Sequence, residues 1–249
     1  MTSIVRAGAY SELHLVDERI AGHRPKSLSA VQAAALPLTS ITAWEALFER
    51  LGVRKDGSDA GKSILIVGGA GGVGSIAIQL AKQLGKLNVV ATASRPASAD
   101  WCRALGADHI VDHTGDLPAQ LAALGLPGVD YVLCLNEFDK HFDAMVAALA
   151  PQGKLCSIVK NEGPLALEPL FAKSGTLVFE LMFTRSIFGT PDMVEQHKLL
   201  TAVAGLVDAG TIKTTLGEQF GAINAANLNR AHAALLGRRT IGKIVLAGF

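Results

Sequence analysis

Residues 63–95 constrain this chain more than any other stretch. Ser63-Ile64-Leu65-Ile66-Val67 is a short run rich in branched apolar side chains, the composition of a strand buried on both faces. A glycine-rich segment follows, in which Gly69, Gly71 and Gly74 fit a G-x-G-x-x-G spacing. Val73, Ile76, Ala77, Leu80, Ala81 and Leu84 then recur at the interval of one helix face, and Val89 to Thr92 reads as a second strand. The glycines have distinct expected roles. Gly69 permits a tight turn, Gly71 lets the backbone approach a pyrophosphate, and Gly74 lets the helix pack on the sheet. The start of the helix, near Gly72 and Val73, offers free N–H groups and the positive end of the helix dipole to phosphates. Strand, glycine turn, helix and strand in this order read as a dinucleotide-binding unit.

The alternation continues beyond Arg95. Helices are predicted at 97–105, 116–124, 138–149 and 167–173, and strands at 109–111, 129–134, 154–159 and 176–183, with Pro151-Gln152-Gly153 as a turn. With the first two strands this makes six, the two βαβαβ halves of a doubly wound parallel Rossmann sheet. The flanks differ. Partial alternation in 4–28 suggests one or two strands. Residues 29–36 suggest a short helix closed by Pro37, and Thr39 or Ser40 is expected to cap the next helix, which Gly52 ends. After 186 come a long helix at 193–209, a strand at 215–220, a helix at 224–236 and a strand at 243–246. The two flanks are expected to meet in a second, smaller subdomain.

The chain has 249 residues, 49% of them hydrophobic, enough for a sizeable core. A net charge of +1, without basic clusters, argues against a nucleic-acid partner. No apolar run spans a bilayer, and the start lacks a signal-peptide core. Cys102, Cys134 and Cys156 are widely separated, as expected of small core residues in a reducing cytoplasm. His109 and His113 flank a strand, and the other histidines have no ligand partner one turn away, so no metal site is expected. No carboxylate pair, G-x-S-x-G elbow or Tyr-x-x-x-Lys pair offers catalytic residues, and none is assigned.

The end of the second strand bears on cofactor choice. Sites for NAD place Asp or Glu there, to hold the ribose 2′-hydroxyl. Here the residues are Ala93-Ser94-Arg95, and the next acid is Asp100, already in the following helix. Ser94 and Arg95 suit the 2′-phosphate of NADP(H) instead.

Residues 60–82, together with Leu105-Gly106-Ala107-Asp108-His109, Leu149-Ala150-Pro151-Gln152-Gly153, Phe179 to Ser186 and Gly242 to Leu246, resemble the medium-chain dehydrogenase/reductase superfamily. The chain is most similar to the zinc-type alcohol dehydrogenase-like branch related to quinone oxidoreductases. The resemblance implies that 1–38 is a remnant of a GroES-like β-rich catalytic domain, 39–185 the NAD(P)-binding Rossmann domain, and 186–249 the return to the catalytic domain. The front of that catalytic domain is then missing. It also implies cofactor roles for Gly71, Gly72 and Val73 at the pyrophosphate and for Thr42 at the nicotinamide side. Leu135, Asn136, Ile158 and Val159 would line the nicotinamide end, and Lys243 would lie near the phosphates. The implied function is NADPH-dependent hydride transfer to a small-molecule carbonyl, enone or quinone. The implied assembly is a homodimer through an edge strand near 177–183. The alternative is a non-catalytic module that holds NADPH without turning it over.

Overall fold

The leading segment shows no strand in the computed structural model, which describes residues 10–249. The strands predicted within 4–28 are therefore corrected over 10–28, and residues 4–9 lie outside the described part. The alternation there has nothing to bury, since Leu13 and Leu15 are 90% and 84% exposed. Regular structure begins with a 3₁₀ turn at Glu18–Ile20, capped by Asp17. Helix α1 is Ala30–Ala34, held by a capping box between Ser29 and Gln32. Pro37 does not simply close it. It opens helix α2, Pro37–Trp44, at the position where a missing N–H costs nothing. Thr39 and Ser40 consequently lie inside α2 and are not its caps; both are buried, and Thr39 Oγ1 donates back to Leu36 O at 3.2 Å. The helix runs on into a π-helical turn, Glu45–Arg50, in which Leu51 N donates to Ala46 O at 2.9 Å. Gly52 ends it with φ of +72°, a conformation glycine adopts freely.

The chain divides into two units. One is Met1–Ile41 with Leu181–Phe249, and the other is Thr42–Glu180. The second unit is built on strands β1 (Ser63–Val67), β2 (Asn88–Thr92), β3 (His109–Val111), β4 (Val129–Cys134), β5 (Leu149–Ser157) and β6 (Thr176–Phe179). Helices α3 (Gly72–Gln83), α4 (Pro96–Ala104), α5 (Leu117–Ala123), α6 (Phe138–Ala148) and α7 (Glu168–Ala172) connect them. All the pairings are parallel and the order is β3-β2-β1-β4-β5-β6, the doubly wound arrangement. Successive residues of β1 serve opposite faces. Leu65 and Val67 join Phe138, Phe142 and Met145 in one buried layer, while α3 packs against β1 and β2.

Two boundaries differ from the sequence reading. Pro151-Gln152-Gly153 lies within β5 as a bulge and does not precede the strand. The register jumps from Val129↔Leu149 to Tyr131↔Lys154, and Gln152 takes φ of +64°. Strand β6 stops at Phe179, short of the predicted Phe183. Glu180 N still donates to Ser157 O at 2.9 Å, but the chain then turns away into helix α8, Thr184–Phe188.

In the first unit the leading and returning segments interlock. Helix α9, Val194–Asp208, packs on the 3₁₀ turn, and Gln196 Nε2 donates to Ile20 O at 3.2 Å. Asp208 accepts from Lys26 N and Ser27 N at 3.1 and 2.8 Å. Strand β7, Leu216–Gln219, precedes helix α10, Ala225–Leu236, and pairs in parallel with β8, Lys243–Val245. Among the described residues no helix is long and apolar enough to cross a membrane.

Candidate dinucleotide site

The glycine turn joins β1 to α3 at the carboxyl edge of the sheet, where open α/β folds bind ligands. The left-handed conformation falls on Gly68, with φ of +91°, and not on Gly69. Gly69 is needed for space: a Cβ there would lie 2.8 Å from Ala91 Cβ and 3.1 Å from Cys102 Sγ. Gly74 has no room beneath the carbonyl oxygens of Gly68 and Gly69, so α3 can pack this closely only with glycine. Gly71 is different. A Cβ there would meet only Gly68 O, at 3.5 Å, an ordinary contact. Its outer side is open to an approaching group.

Side chains hold the turn in shape. Gly68 N donates to Thr92 Oγ1 at 3.0 Å and Gly69 N to Thr92 O at 3.3 Å, tying the turn to the end of β2. Ser75 Oγ donates to Gly71 O at 2.7 Å and accepts from Trp101 Nε1 at 2.8 Å. Trp101, on α4, thus braces the turn from outside. Sequence spacing gave no sign of this role, which depends on how α4 packs. The first amide bond of α3 runs from Ser75 N to Gly71 O at 2.9 Å, so the amides of Gly72, Val73 and Gly74 precede the helix ladder. Unused donors at an open helix start suit a phosphate oxygen.

The other expected residues of this unit gather at the same edge. Leu135 and Asn136 follow β4, and a Cβ on Gly68 would lie 3.0 Å from Asn136 Oδ1 and 3.5 Å from Leu135 Cβ. Leu135 N donates to Val67 O at 3.1 Å, and Ile158 N to Cys134 O at 3.1 Å. Val159 is fixed by Ser157, whose Oγ donates to Val159 O at 2.7 Å. Ser94 is exposed and Arg95 half-buried just past β2. Ser98 Oγ donates to Arg95 O at 2.8 Å, which fixes the backbone there at the start of α4. Asp100 points elsewhere, to Arg103 at 2.9 Å. Thr42 is buried at the start of this unit. Lys243 lies on β8 of the first unit, half-buried, with burial drawing its ammonium below the usual lysine range.

Burial pushes the thiols of Cys102 and Cys156 up to about 12 and that of Cys134 to about 11. All three stay protonated and unreactive near neutrality. His113 and His141 meet edge to face with ring centroids 5.6 Å apart, and His23 and His197 do so at 5.8 Å. Sequence reading missed the most unusual polar cluster of the unit, Glu45, Arg50 and Glu180. Glu180 Oε2 lies 2.8 Å from Arg50 Nε, and both glutamates are buried.

A doubly wound sheet with a glycine turn open to phosphate defines a dinucleotide-binding α/β protein. Comparison with known proteins narrows the class. The zinc-binding dehydrogenase family matches residues 105–246. A zinc-type alcohol dehydrogenase-like protein of Staphylococcus aureus (strain MRSA252) is 38% identical over 242 residues, covering 97% of this chain and 72% of its own. A quinone oxidoreductase of Pseudomonas aeruginosa is 30% identical over 242 residues, covering 96% and 71%. A solved structure from Rhizobium etli CFN 42, assigned there as a zinc-dependent alcohol dehydrogenase protein, superposes with a TM-score of 0.94 at 50% identity. It covers 100% of this chain and 72% of its own. A mycobacterial protein solved as its NADPH complex gives a TM-score of 0.75 at 27% identity, covering 89% and 66%. The chain belongs to the medium-chain dehydrogenase/reductase superfamily, in the branch of zinc-type alcohol dehydrogenase-like proteins and quinone oxidoreductases.

Zinc, which the family name implies, does not fit the described residues. A zinc site needs several thiolates or imidazoles converging on one point. The cysteines are separate, buried and protonated, and among the described residues no three potential ligands come together.

Proposed function

We propose that this chain is an NADPH-dependent reductase acting on a carbonyl, enone or quinone. The observation that carries the reading is the end of β2. No carboxylate to hold a ribose hydroxyl stands at 93–95, and Ser94 and Arg95 stand beside a turn whose leading amides suit phosphate. In this reading Gly71, Gly72, Val73 and Gly74 hold the pyrophosphate, with Gly69 giving the turn its close fit against β2. Ser94 and Arg95 take the 2′-phosphate. Thr42, Leu135, Asn136, Ile158 and Val159 border the nicotinamide. The relative solved with NADPH supports the same cofactor. Bound NADPH supplies the hydride, and the chain supplies orientation and electrostatics. Arg95 neutralises the 2′-phosphate, the α3 amides neutralise the pyrophosphate, and the apolar post-strand loops exclude water from the ring. We assign residues 1–38 and 186–249 to the catalytic domain and 39–185 to the cofactor domain.

The test is steady-state turnover with NADPH across a panel of enones, quinones and simple carbonyls. We expect NADPH oxidation that depends on at least one of these classes. Tight NADPH binding with no turnover on any of them would favour the non-catalytic module.

A further inference from the structure

A polar cavity of about 360 Å³ opens at the amino ends of β1 and β4 and beside β5. That volume suits a small molecule. The glycine turn follows the other end of β1, so this cavity and the phosphate cradle lie at opposite edges of one sheet. The bulge Pro151-Gln152-Gly153 forms part of the lining, and bulges recur beside active sites.

Most charges around the cavity are matched within the protein. Asp59, 6% exposed, accepts from Lys62 Nζ at 2.6 Å, from Arg54 N at 2.8 Å and from the Tyr131 hydroxyl at 3.3 Å. The guanidinium of Arg54 meets Asp56 at 3.2 Å. Two opposite charges are left over, both on half-buried side chains. Lys154 Nζ donates to Leu51 O at 3.0 Å, which occupies one of its three hydrogens, and among the described residues it has no carboxylate partner. Gly52 leaves this ammonium uncovered, since a Cβ there would lie 3.3 Å from Nζ. Asp130 accepts from Ser63 N and Ser63 Oγ at 2.8 and 3.1 Å, both through Oδ2. Its Oδ1 takes no hydrogen bond and the carboxylate forms no ion pair among the described residues. Lys154 and Asp130 line the same cavity without pairing with each other.

We propose that this cavity binds a small zwitterion of the α-amino acid class, its carboxylate against Lys154 and its ammonium against Asp130. A carboxylate needs donors, and Lys154 has two to spare; an ammonium needs acceptors, and Asp130 Oδ1 is one. Hydrogen bonds between ionised groups are the strong ones. A simple anion would satisfy Lys154 and be repelled by Asp130, and a simple cation would meet the reverse. The two residues therefore select for both charges on one molecule.

Isothermal titration calorimetry of the full chain tests this at about pH 7, where lysine and aspartate are both ionised. The ligands are glycine, L-serine and L-glutamine, beside acetate and ethylamine, which carry one charge each. At least one amino acid should bind saturably, about tenfold or more tighter than acetate or ethylamine. Lys154→Met and Asp130→Asn should each weaken that binding about tenfold or more, the loss expected of a hydrogen bond to a charged group. Asparagine keeps an oxygen for Ser63, and urea unfolding of both variants checks that the fold persists. Either variant alone decides the location if the other fails to fold. Acetate binding as tightly as the best amino acid would overturn the zwitterion. Absence of saturable binding by all three amino acids would overturn the site, and binding untouched by a folded variant would overturn its placement.

Discussion

Cofactor preference turns on Ser94 and Arg95. Both follow the last residue of β2, and neither is a carboxylate that would repel a 2′-phosphate. Replacing Arg95 with alanine should weaken NADPH binding by about 1.5–3 kcal/mol, the range for hydrogen bonds to charged groups, and leave NADH almost unaffected. Fluorescence titration of both cofactors checks this, and equal losses would show that Arg95 serves only the backbone at α4. The glycines make a complementary point. A motif spacing names which positions lack side chains, but the reasons differ by position. Gly68 takes the left-handed backbone, Gly69 and Gly74 have no room for a Cβ, and Gly71 has room that a ligand can use. The spacing could not separate these, because the clashes come from Ala91, Cys102 and the carbonyl oxygens above α3.

At the scale of elements, the connection from α6 to β6 depends on one side chain that carries no motif. Lys173 Nζ donates to Val146 O, Ala147 O and Leu149 O at 2.8, 2.9 and 2.6 Å, capping the carbonyl end of α6. A cation there satisfies orphan carbonyls and opposes the negative end of the helix dipole. Lys173→Met should destabilise the chain by about 1–2 kcal/mol in urea unfolding, with cofactor affinity unchanged. The β1–α3–β2 unit was legible in sequence because its signals are local: an apolar run, a glycine spacing and a helical stripe. The π turn was not, since Pro37 reads equally as the end of one helix or the start of the next. The bulge at 151–153 depends on which residues of β4 face β5, and that is settled by the sheet. Leu13 and Leu15 mimic a strand, but both are exposed. The ion pair of Arg50 with Glu180 joins the two ends of the unit, beyond the reach of any short-range pattern.

For the molecule as a whole, β6 is one edge of the six-stranded sheet, and Phe179 on it is 48% exposed. Apolar strand edges invite pairing, and a two-fold partner is the commonest way to close one. We expect a homodimer through the β6 edge, which ends at Phe179 and not at Phe183, in sedimentation at micromolar concentration, and a monomer there would mean that the edge is protected by other means. We propose that this chain recognises NADPH through an amide-lined glycine turn and the Ser94–Arg95 corner. The most direct test is a side-by-side titration of the wild-type chain with NADPH and NADH, followed by intrinsic tryptophan fluorescence. Trp101 braces the turn through Ser75 and so reports on it. Saturable binding of both is expected, with NADPH at least about tenfold tighter, the equivalent of about 1.4 kcal/mol. A preference for NADH, or no binding of either, would contradict it.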